Sequence, residues 1–232
     1  MVSGTPKHLS GRGLFITFEG PDGSGKSTQA RMLAERLRAE GYAVLETVEP
    51  GGTAIGQQIR GILLDPANQA LRPVAELLLM FACRAQNVDE WILPALAEGK
   101  IVVSDRFTDS SIAYQGAARG LGWETVLEVD RIACRGLAPD LTLCVDIDTE
   151  TGLARAHSRN RRNADRSEAR IDEQSIEFHH KVRAAYHELA RREPQRFRLI
   201  DGRDSQSAIA EKVWNEVAGL IATKSAPAGS NR

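Results

Sequence analysis

Short apolar runs rich in β-branched residues alternate along the chain with longer stretches in which apolar residues recur every three or four positions. The runs predict five strands, at about residues 15–18, 43–47, 101–105, 141–146 and 197–200. The periodic stretches predict helices at about 28–37, 55–63, 74–96, 123–134, 176–189 and 209–220. Strands that alternate with helices favour a mostly parallel sheet covered on both faces, which is an α/β fold of three layers.

The length of 232 residues suits one domain of this kind. We predict a flexible N-terminal arm at 1–12, a domain at 13–222 and a disordered tail at 223–232, where Ser, Ala, Gly and Pro prevail. A net charge of −1 gives no sign of a nucleic-acid partner, and no apolar segment is long enough to cross a membrane. Cys83, Cys134 and Cys144 lie in apolar segments without metal-like spacing, so we expect reduced core residues in a cytoplasmic protein rather than a catalytic thiol.

A glycine-rich loop links the first strand to the first helix. The motif G-x-x-x-x-G-K-[ST] is made there by Gly20, Pro21, Asp22, Gly23, Ser24, Gly25, Lys26, Ser27 and Thr28. The backbone amides of such a loop and the N-terminus of the following helix bind phosphates. Lys26 is expected to neutralise the β- and γ-phosphates of ATP, and Ser27 to bind Mg²⁺. The loop therefore predicts a P-loop NTPase fold around the five-stranded parallel sheet.

Polar residues follow the third strand. Asp105 closes this strand, where a carboxylate can hold Mg²⁺ directly or through water, and Arg106 comes next at the edge where open α/β sheets bind ligands. The acid alone is a weak signal, but the phosphate loop on an earlier strand strengthens it. Ser111, Tyr114 and Gln115 can hydrogen-bond a base and a sugar, or they can belong to an ordinary capped helix.

Two arginines on predicted helices have alternative interpretations. Arg84 shares a helix face with Met80 and Phe81, which combines a guanidinium with a thioether or an aromatic ring. It is either a ligand contact or an arginine that reaches from a core helix to the solvent. Arg60 faces away from the apolar stripe of its helix and is either solvated or in contact with a phosphate or a loop.

The segment 155–170 differs in composition from the rest of the chain. It contains six arginines and two asparagines, with almost no apolar side chain after Ala156. Such a run is usually a solvated or flexible segment. Phosphoryl transfer needs cations that close over the γ-phosphate, and we therefore interpret residues 157–172 as a mobile, arginine-rich lid.

Five motifs in this order resemble those of thymidylate kinases, over about residues 14–220. The motifs are FEGPDGSGKST at 18–28, EPGGT at 49–53, FACRAQ at 81–86, DRF at 105–107 and AYQG at 113–116. The resemblance implies a five-stranded parallel fold, usually a homodimer, that transfers the γ-phosphoryl of ATP to dTMP with Mg²⁺ for dTTP synthesis. ATP is thus implied as a co-substrate and Mg²⁺ as the cofactor.

The resemblance also implies roles for single residues. Lys26, Asp22, Arg106 and Arg159 form the implied catalytic set, residues 20–28 bind ATP, and Ser27 and Asp105 hold the metal. The dTMP site is implied to contain Asp22, Arg60, Phe81, Arg84, Arg106, Ser111, Tyr114 and Gln115. In this pattern Asp22 meets the sugar 3′-hydroxyl and Arg106 grips the acceptor phosphate.

Further implied contacts concern the thymidine. Arg84 hydrogen-bonds thymine O4, Ser111 meets the base edge, Gln115 belongs to the same loop, and Tyr114 packs against the deoxyribose and blocks a 2′-hydroxyl. The phosphate loop has no Arg or Lys between Asp22 and Gly25. The chain therefore resembles those members that bring the catalytic arginine from the lid, and Arg159 is our first candidate.

The chain departs from the family pattern in three places. Val48 stands where an arginine usually precedes the EPGGT loop. The thymine-stacking phenylalanine commonly lies four residues before the base-reading arginine, a place that Met80 takes here, so either Met80 or Phe81 can stack on the base. The lid is longer than in common relatives, and ARID at 169–172 replaces the usual Asp-Arg-x-Glu pattern.

Two other functions compete with this interpretation. One is another nucleotide or deoxynucleoside kinase on the same fold, and the other is a nucleotide-dependent switch or binding protein. The EPGGT loop and the settings of Arg84 and Tyr114 favour thymidylate. The absence of an Asn-Lys-x-Asp guanine motif and the presence of an acceptor-site arginine, Arg106, disfavour the switch.

Overall fold

A five-stranded, all-parallel sheet forms the centre of the computed structural model, which describes residues 6–9, 11–162 and 170–225. The strands are β1 (Leu14–Glu19), β2 (Val44–Val48), β3 (Ile101–Asp105), β4 (Leu141–Asp146) and β5 (Phe197–Asp201). Their order is β2-β3-β1-β4-β5, so the loops that follow β1, β3 and β4 meet at one edge. The predicted α/β fold is confirmed.

Nine α-helices accompany the strands in the described residues. They are α1 (Lys26–Ala39), α2 (Ala54–Leu64), α3 (Pro73–Asn87), α4 (Leu93–Ala97), α5 (Thr108–Ser111), α6 (Trp123–Ala133), α7 (Thr149–Arg162), α8 (Ile176–Arg192) and α9 (Gln206–Ser225). The helix predicted at 74–96 is α3 and α4 joined by a π-helical turn at Val88–Ile92. None of the helices described is long and apolar enough to cross a membrane.

The sheet separates two apolar cores, because successive side chains of a strand point to opposite faces. Phe15 of β1 and Val102 of β3 belong to one core, together with α3 and α8. Leu14 and Ile16 of β1 belong to the other, together with α1 and α9. The three predicted layers are therefore present, and both sheet faces are covered.

Part of each predicted terminal segment makes contacts with the domain or belongs to a helix. Within the predicted arm, the Lys7 amide donates to the Gly41 carbonyl at 2.6 Å, Leu9 is buried, and Arg12 pairs with Asp140 at 3.0 Å. These contacts dock part of the arm on the domain. At the other end α9 runs to Ser225, three residues into the predicted tail. Residues 1–5, 10 and 226–232 lie outside the described residues.

The apolar stripe predicted for α2 is only partly turned to the core. Leu63 is buried, whereas Ile55 and Ile62 are about half exposed to solvent. The cause is Gly56, whose missing Cβ lets the helix approach the Gly51 carbonyl, since a Cβ there would lie 1.9 Å from the oxygen. This approach selects which side of α2 faces the domain and leaves the two isoleucines outside.

The C-terminal end of the predicted lid is anchored in the body of the domain. Arg170 is 1% exposed, and its Nη2 donates to Glu76 Oε2 of α3 at 2.8 Å. Its Nε donates to the Leu63 carbonyl and its backbone amide to the Leu64 carbonyl at 3.1 Å. Arg119 also pairs with Glu76, at 3.1 Å. Arg170 is therefore a structural residue, although the predicted lid includes it; residues 163–169 lie outside the described residues.

The Glu76→Ala substitution should destabilise the domain by about 3–5 kcal/mol, because it leaves buried guanidinium groups without their carboxylate. Chemical denaturation measures the change in the free energy of unfolding. Glu35→Ala is the matched control, since Glu35 and Arg31 form an exposed helical pair worth less than about 1 kcal/mol. Equal losses in the two variants would contradict the anchoring role of Glu76.

Candidate active site

The phosphate loop has the backbone geometry that its glycines predict. Gly20, Gly23 and Gly25 have φ angles of +136°, +75° and +97°, in the region that glycine adopts most readily. Gly25 is the N-cap of α1, and among the described residues no side chain caps this helix. The first amides of α1 are thus available to an anion, and the helix dipole favours one there.

The first turn of α7 packs directly against the phosphate loop. A Cβ on Gly23 would lie 2.0 Å from the Gly152 carbonyl oxygen, and a Cβ on Gly152 would lie 2.6 Å from the Asp22 carbonyl oxygen. Real Cβ atoms do not approach oxygen so closely, because the electron shells repel. Two glycines at this contact therefore set how near α7 comes to the loop.

Two cations share one carboxylate at the edge of the sheet. Arg106 Nη2 donates to Asp22 Oδ1 at 2.5 Å, and Lys26 Nζ lies 3.6 Å from the same oxygen. The Tyr114 hydroxyl donates to Asp22 Oδ2 at 2.8 Å and accepts from Arg106 Nη2 at 3.1 Å. Burial alone would raise the pKa of Asp22, but the charges of Arg106 and Lys26 hold this pKa below its usual range. Asp22 is therefore ionised.

The backbone of Arg106 adopts an uncommon conformation. Its φ is +74°, which in a residue other than glycine costs about 1–3 kcal/mol and occurs preferentially at functional sites. The Arg106 amide donates to the Phe18 carbonyl at 2.9 Å, and Ser104 Oγ donates to the Arg106 carbonyl at 2.7 Å. These bonds fix the turn that directs the guanidinium toward the phosphate loop.

Arg84 lies in a buried pocket behind this turn. Its Nε donates to Glu49 Oε2 at 2.5 Å and its Nη2 to the Phe107 carbonyl at 3.0 Å, while Nη1 is buried and has no hydrogen-bond partner among the described residues. The guanidinium carbon lies 4.5 Å from the ring centroid of Phe81. Arg84 is only 2% exposed, which excludes the interpretation as an arginine that reaches the solvent. A buried unpaired donor of this kind fits a ligand carbonyl oxygen.

A model of the family described as thymidylate kinase matches residues 18–213. The chain belongs to the thymidylate kinase family. The thymidylate kinase of Pelobacter propionicus is 48% identical over 205 residues, which cover 88% of this chain and 94% of the relative. That of Thermomicrobium roseum is 49% identical over 207 residues, covering 89% and 95%. The crystal structure of thymidylate kinase from Ehrlichia chaffeensis superposes with a TM-score of 0.72 at 31% identity, covering 90% of this chain and 99% of that one.

The remaining residues predicted from the family pattern differ in their burial and in their hydrogen-bond partners. Arg60 Nη1 donates to the Pro50 carbonyl at 2.6 Å, so it contacts the EPGGT loop and is not simply solvated. Ser111 is buried in α5. Gln115 lies in a second π-helical turn, Ile112–Ala118, and its Nε2 donates to Glu76 Oε1 at 2.9 Å. The structure therefore directs Tyr114 to the phosphate loop and Gln115 to the Glu76 anchor.

Some contact residues escape analysis of the sequence alone. Glu49 holds Arg84, which lies 35 residues away, and Asn87 Nδ2 donates to the other oxygen of Glu49 at 3.1 Å. Glu19, Ser110 and Tyr186 surround Arg106. The family motifs contain Glu19 and Glu49, but nothing in their spacing names the partners.

The oxygen donors expected for Mg²⁺ fit that ion. Asp105 Oδ1 is buried without a hydrogen-bond partner among the described residues, and Ser27 is exposed at the start of α1. Mg²⁺ in such sites takes one or two protein oxygens and completes its shell with phosphates and water. The described residues contain no group of three or more His, Cys, Asp or Glu that could hold a metal, and this ion does not require one.

Arg159 belongs to the helix α7, but its side chain is outside the described part of the structure. Its implied catalytic role therefore stays a prediction. The cysteines are as predicted, since Cys83, Cys134 and Cys144 are free and buried. Burial raises the pKa of each of these thiols, which disfavours a nucleophilic thiolate.

Proposed function

We propose that this site transfers the γ-phosphoryl of ATP to dTMP and forms dTDP and ADP. The chain is an enzyme of the thymidylate kinase family, and this is the reaction that membership supports. The observation that carries the proposal is the position of Arg106, whose guanidinium joins the acid of the phosphate loop to Tyr114 at the carboxyl edge of the sheet. This position supports Arg106 as the cation that lies between the phosphates of the donor and the acceptor.

The donor side is the phosphate loop, residues 20–28. Its amides and the N-terminus of α1 bind the phosphates of ATP, and the buried Lys26 adds a positive charge beside them. Burial and the nearby Arg106 lower the pKa of Lys26, while bound phosphates favour its charged form. We assign Ser27 and Asp105 as the residues that would hold Mg²⁺, which would neutralise negative charge on the phosphates of ATP.

The acceptor side begins at Arg106, which exchanges part of its contact with Asp22 for the phosphate of dTMP. Asp22 then accepts from the sugar 3′-hydroxyl, and Tyr114 packs against the deoxyribose. Arg84 donates from its unpaired Nη1 to thymine O4, and either Phe81, beneath the guanidinium, or Met80 stacks on the base. Ser111, Arg60 and Gln115 complete the site at its edge.

The chemistry is an in-line displacement between two bound phosphates. The acceptor is already anionic, so no strong base is needed. Alignment of the two phosphates can lower the barrier by about 7–11 kcal/mol, and each preorganised cation adds about 3 kcal/mol. We assign Arg159 as the lid arginine that stabilises the transition state, because the loop itself carries no arginine between Asp22 and Gly25.

We also propose that the enzyme works in the cytoplasm. Three free, buried cysteines support a reducing compartment, since the structure shows no disulfide among the described residues.

The decisive measurement of substrate choice is ADP release with Mg²⁺-ATP and each of dTMP, dUMP, dCMP, dGMP, AMP and thymidine. We expect dTMP to be strongly preferred over dCMP, AMP and thymidine, because the Arg84 Nη1 donor suits the O4 carbonyl oxygen of thymine rather than an exocyclic amino group, and Arg106 requires a phosphate. Preference for thymidine or for another monophosphate would overturn the acceptor assignment and leave the donor site intact. Release that no acceptor stimulates would instead favour a nucleotide switch.

Lys26→Ala should lower kcat by at least about 100-fold with the fold preserved, because one preorganised charge at the transferred group is lost. Steady-state kinetics measure kcat, and circular dichroism checks that the fold is preserved. Lys100→Ala is the control, since Lys100 pairs with Glu98 on the surface. A Lys26→Ala enzyme that keeps more than about a tenth of the wild-type kcat would contradict the assignment of Lys26.

An exposed apolar surface supports a homodimer. Six residues of the packed helices α2, α3 and α6 are about half exposed or more: Ile55, Ile62, Val74, Leu78, Leu127 and Ile132. Large apolar patches on a protein surface often mark protein–protein contacts. We propose that a second copy of the chain covers it.

Leu78→Glu should convert the protein to a monomer, because a charge in an apolar interface cannot keep its hydration. Light scattering after size exclusion measures the mass. Leu199→Glu is the control, since Leu199 is a partly exposed residue of the edge strand β5, outside the six residues of this surface, and its substitution should leave the mass unchanged. A wild-type chain that is monomeric at micromolar concentration would sink the dimer proposal.

A further inference from the structure

A buried carboxylate lies directly behind the acceptor-site arginine. Glu19 is the last residue of β1 and is fully buried. Its Oε1 accepts from the backbone amides of Phe107 at 2.8 Å and Ser110 at 3.2 Å. Its Oε2 accepts from two hydroxyls, Ser110 Oγ at 2.5 Å and Tyr186 at 2.8 Å. One oxygen thus holds the backbone after Arg106, and the other holds two side chains.

The same two hydroxyls also contact Arg106. Arg106 Nη1 donates to Ser110 Oγ at 2.9 Å and lies 3.3 Å from the Tyr186 hydroxyl. A hydroxyl has a single hydrogen to donate, whereas a guanidinium can only donate. Both hydroxyls can therefore accept from Arg106 only if their hydrogens point elsewhere, and the ionised Glu19 is the acceptor that takes them.

We propose that Glu19 positions Arg106. It acts on the guanidinium through the hydroxyls of Ser110 and Tyr186. Its carboxylate turns both hydroxyl hydrogens away from the guanidinium and so presents two lone pairs that hold Arg106 against the acceptor phosphate. It also secures the Phe107 amide next to the strained Arg106 backbone. The inference rests on the proposed role of Arg106 in gripping dTMP.

The protonation state of Glu19 should decide whether this arrangement holds. Burial, and then the charge of Asp109, raise the pKa of Glu19 to about 7, against the opposing effects of Arg106 and of the hydrogen bonds from Ser110 and Phe107. Lys26 of α1, Tyr186 of α8 and Cys144 of β4 are the other titratable groups that interact with it. A proton on Oε2 makes that oxygen a donor and reverses the direction of the hydroxyls.

Glu19→Gln tests the proposal, because it keeps the size of the side chain. The two amide donors fix the carbonyl oxygen of the glutamine at the Oε1 position, so its NH₂ group faces the hydroxyls and turns their hydrogens toward Arg106. We expect the KM for dTMP to rise about tenfold and kcat to fall, with the KM for ATP little changed, since a charge-assisted network is lost only on the acceptor side.

The pH profile separates positioning from a structural role. In the wild type the KM for dTMP should rise as the pH falls from about 8 to about 6, since Glu19 is ionised above its pKa and protonated below it. The phosphate of dTMP titrates near a pKa of about 6 in both enzymes. The additional rise due to Glu19 should be missing in Glu19→Gln, whose KM for dTMP is already high at about pH 8.

The hydroxyl pair offers a second route to the same answer if Glu19→Gln folds poorly. Tyr186→Phe alone should raise the KM for dTMP and flatten its pH dependence. In an enzyme with both Ser110→Ala and Tyr186→Phe, Glu19→Gln should add little to the KM, because residues that act through one another are not additive. Asp146→Asn is the control for loss of a partly buried strand-end acid, since Asp146 pairs with Arg183 and His187 instead.

Arg106→Ala separates failure of this inference from failure of the proposed function. If Arg106→Ala leaves the KM for dTMP unchanged, the acceptor role of Arg106 itself is wrong, and the proposal for Glu19 is wrong with it. Arg106 keeps its role if Arg106→Ala raises the KM for dTMP. Glu19 is then not its positioning residue if Glu19→Gln raises the KM values for ATP and dTMP equally, or if it raises neither of them.

Discussion

The mutual neutralisation of buried charges governs the carboxyl edge of this sheet. Lys26 and Arg106 repel one another there, and Asp22 stands between them as the shared counter-charge. Asp22 thus holds both cations in place through a hydrogen bond and an ion pair. In the proposed reaction these cations bind phosphates, which would supply negative charge to the same groups. Binding would then exchange one anion for another with little rearrangement, because the site is already preorganised for negative charge.

The sequence predicts well those features that depend on residues close together in the chain. The strands follow from apolar runs, and the phosphate loop follows from three glycines and a lysine within nine residues of one segment. Pairs that are distant in the chain were not predictable, because periodicity says which face a side chain takes and not which partner it meets there. Glu49 with Arg84 and Glu76 with Arg170 are examples, separated by 35 and 94 residues. The burial of Arg170 was not predictable for the same reason, since an arginine in an arginine-rich run gives no sign of it.

The proposed acceptor side includes an irregular helix. A π-helical turn at Ile112–Ala118 follows the short helix α5 and carries Tyr114 and Gln115. Such turns insert a residue into the helical repeat and occur frequently at functional sites. Here neighbouring residues serve different partners, with Tyr114 on Asp22 and Gln115 on Glu76. The phosphate-loop carboxylate and the Glu76 anchor are thereby held by the same turn.

The glycine contact between the phosphate loop and α7 has a mechanical consequence. Gly23 and Gly152 touch with no side chain between them, so the first turn of α7 packs directly on the phosphate loop. The helix has 14 residues and a length of about 21 Å. From Gly152 to Arg162 the helix spans about 15 Å, so a tilt of about 10° about this contact would displace its far end by about 3 Å. A change of the phosphate loop at Gly23 would therefore be transmitted along α7 to its last turn, which carries Arg159, Arg161 and Arg162.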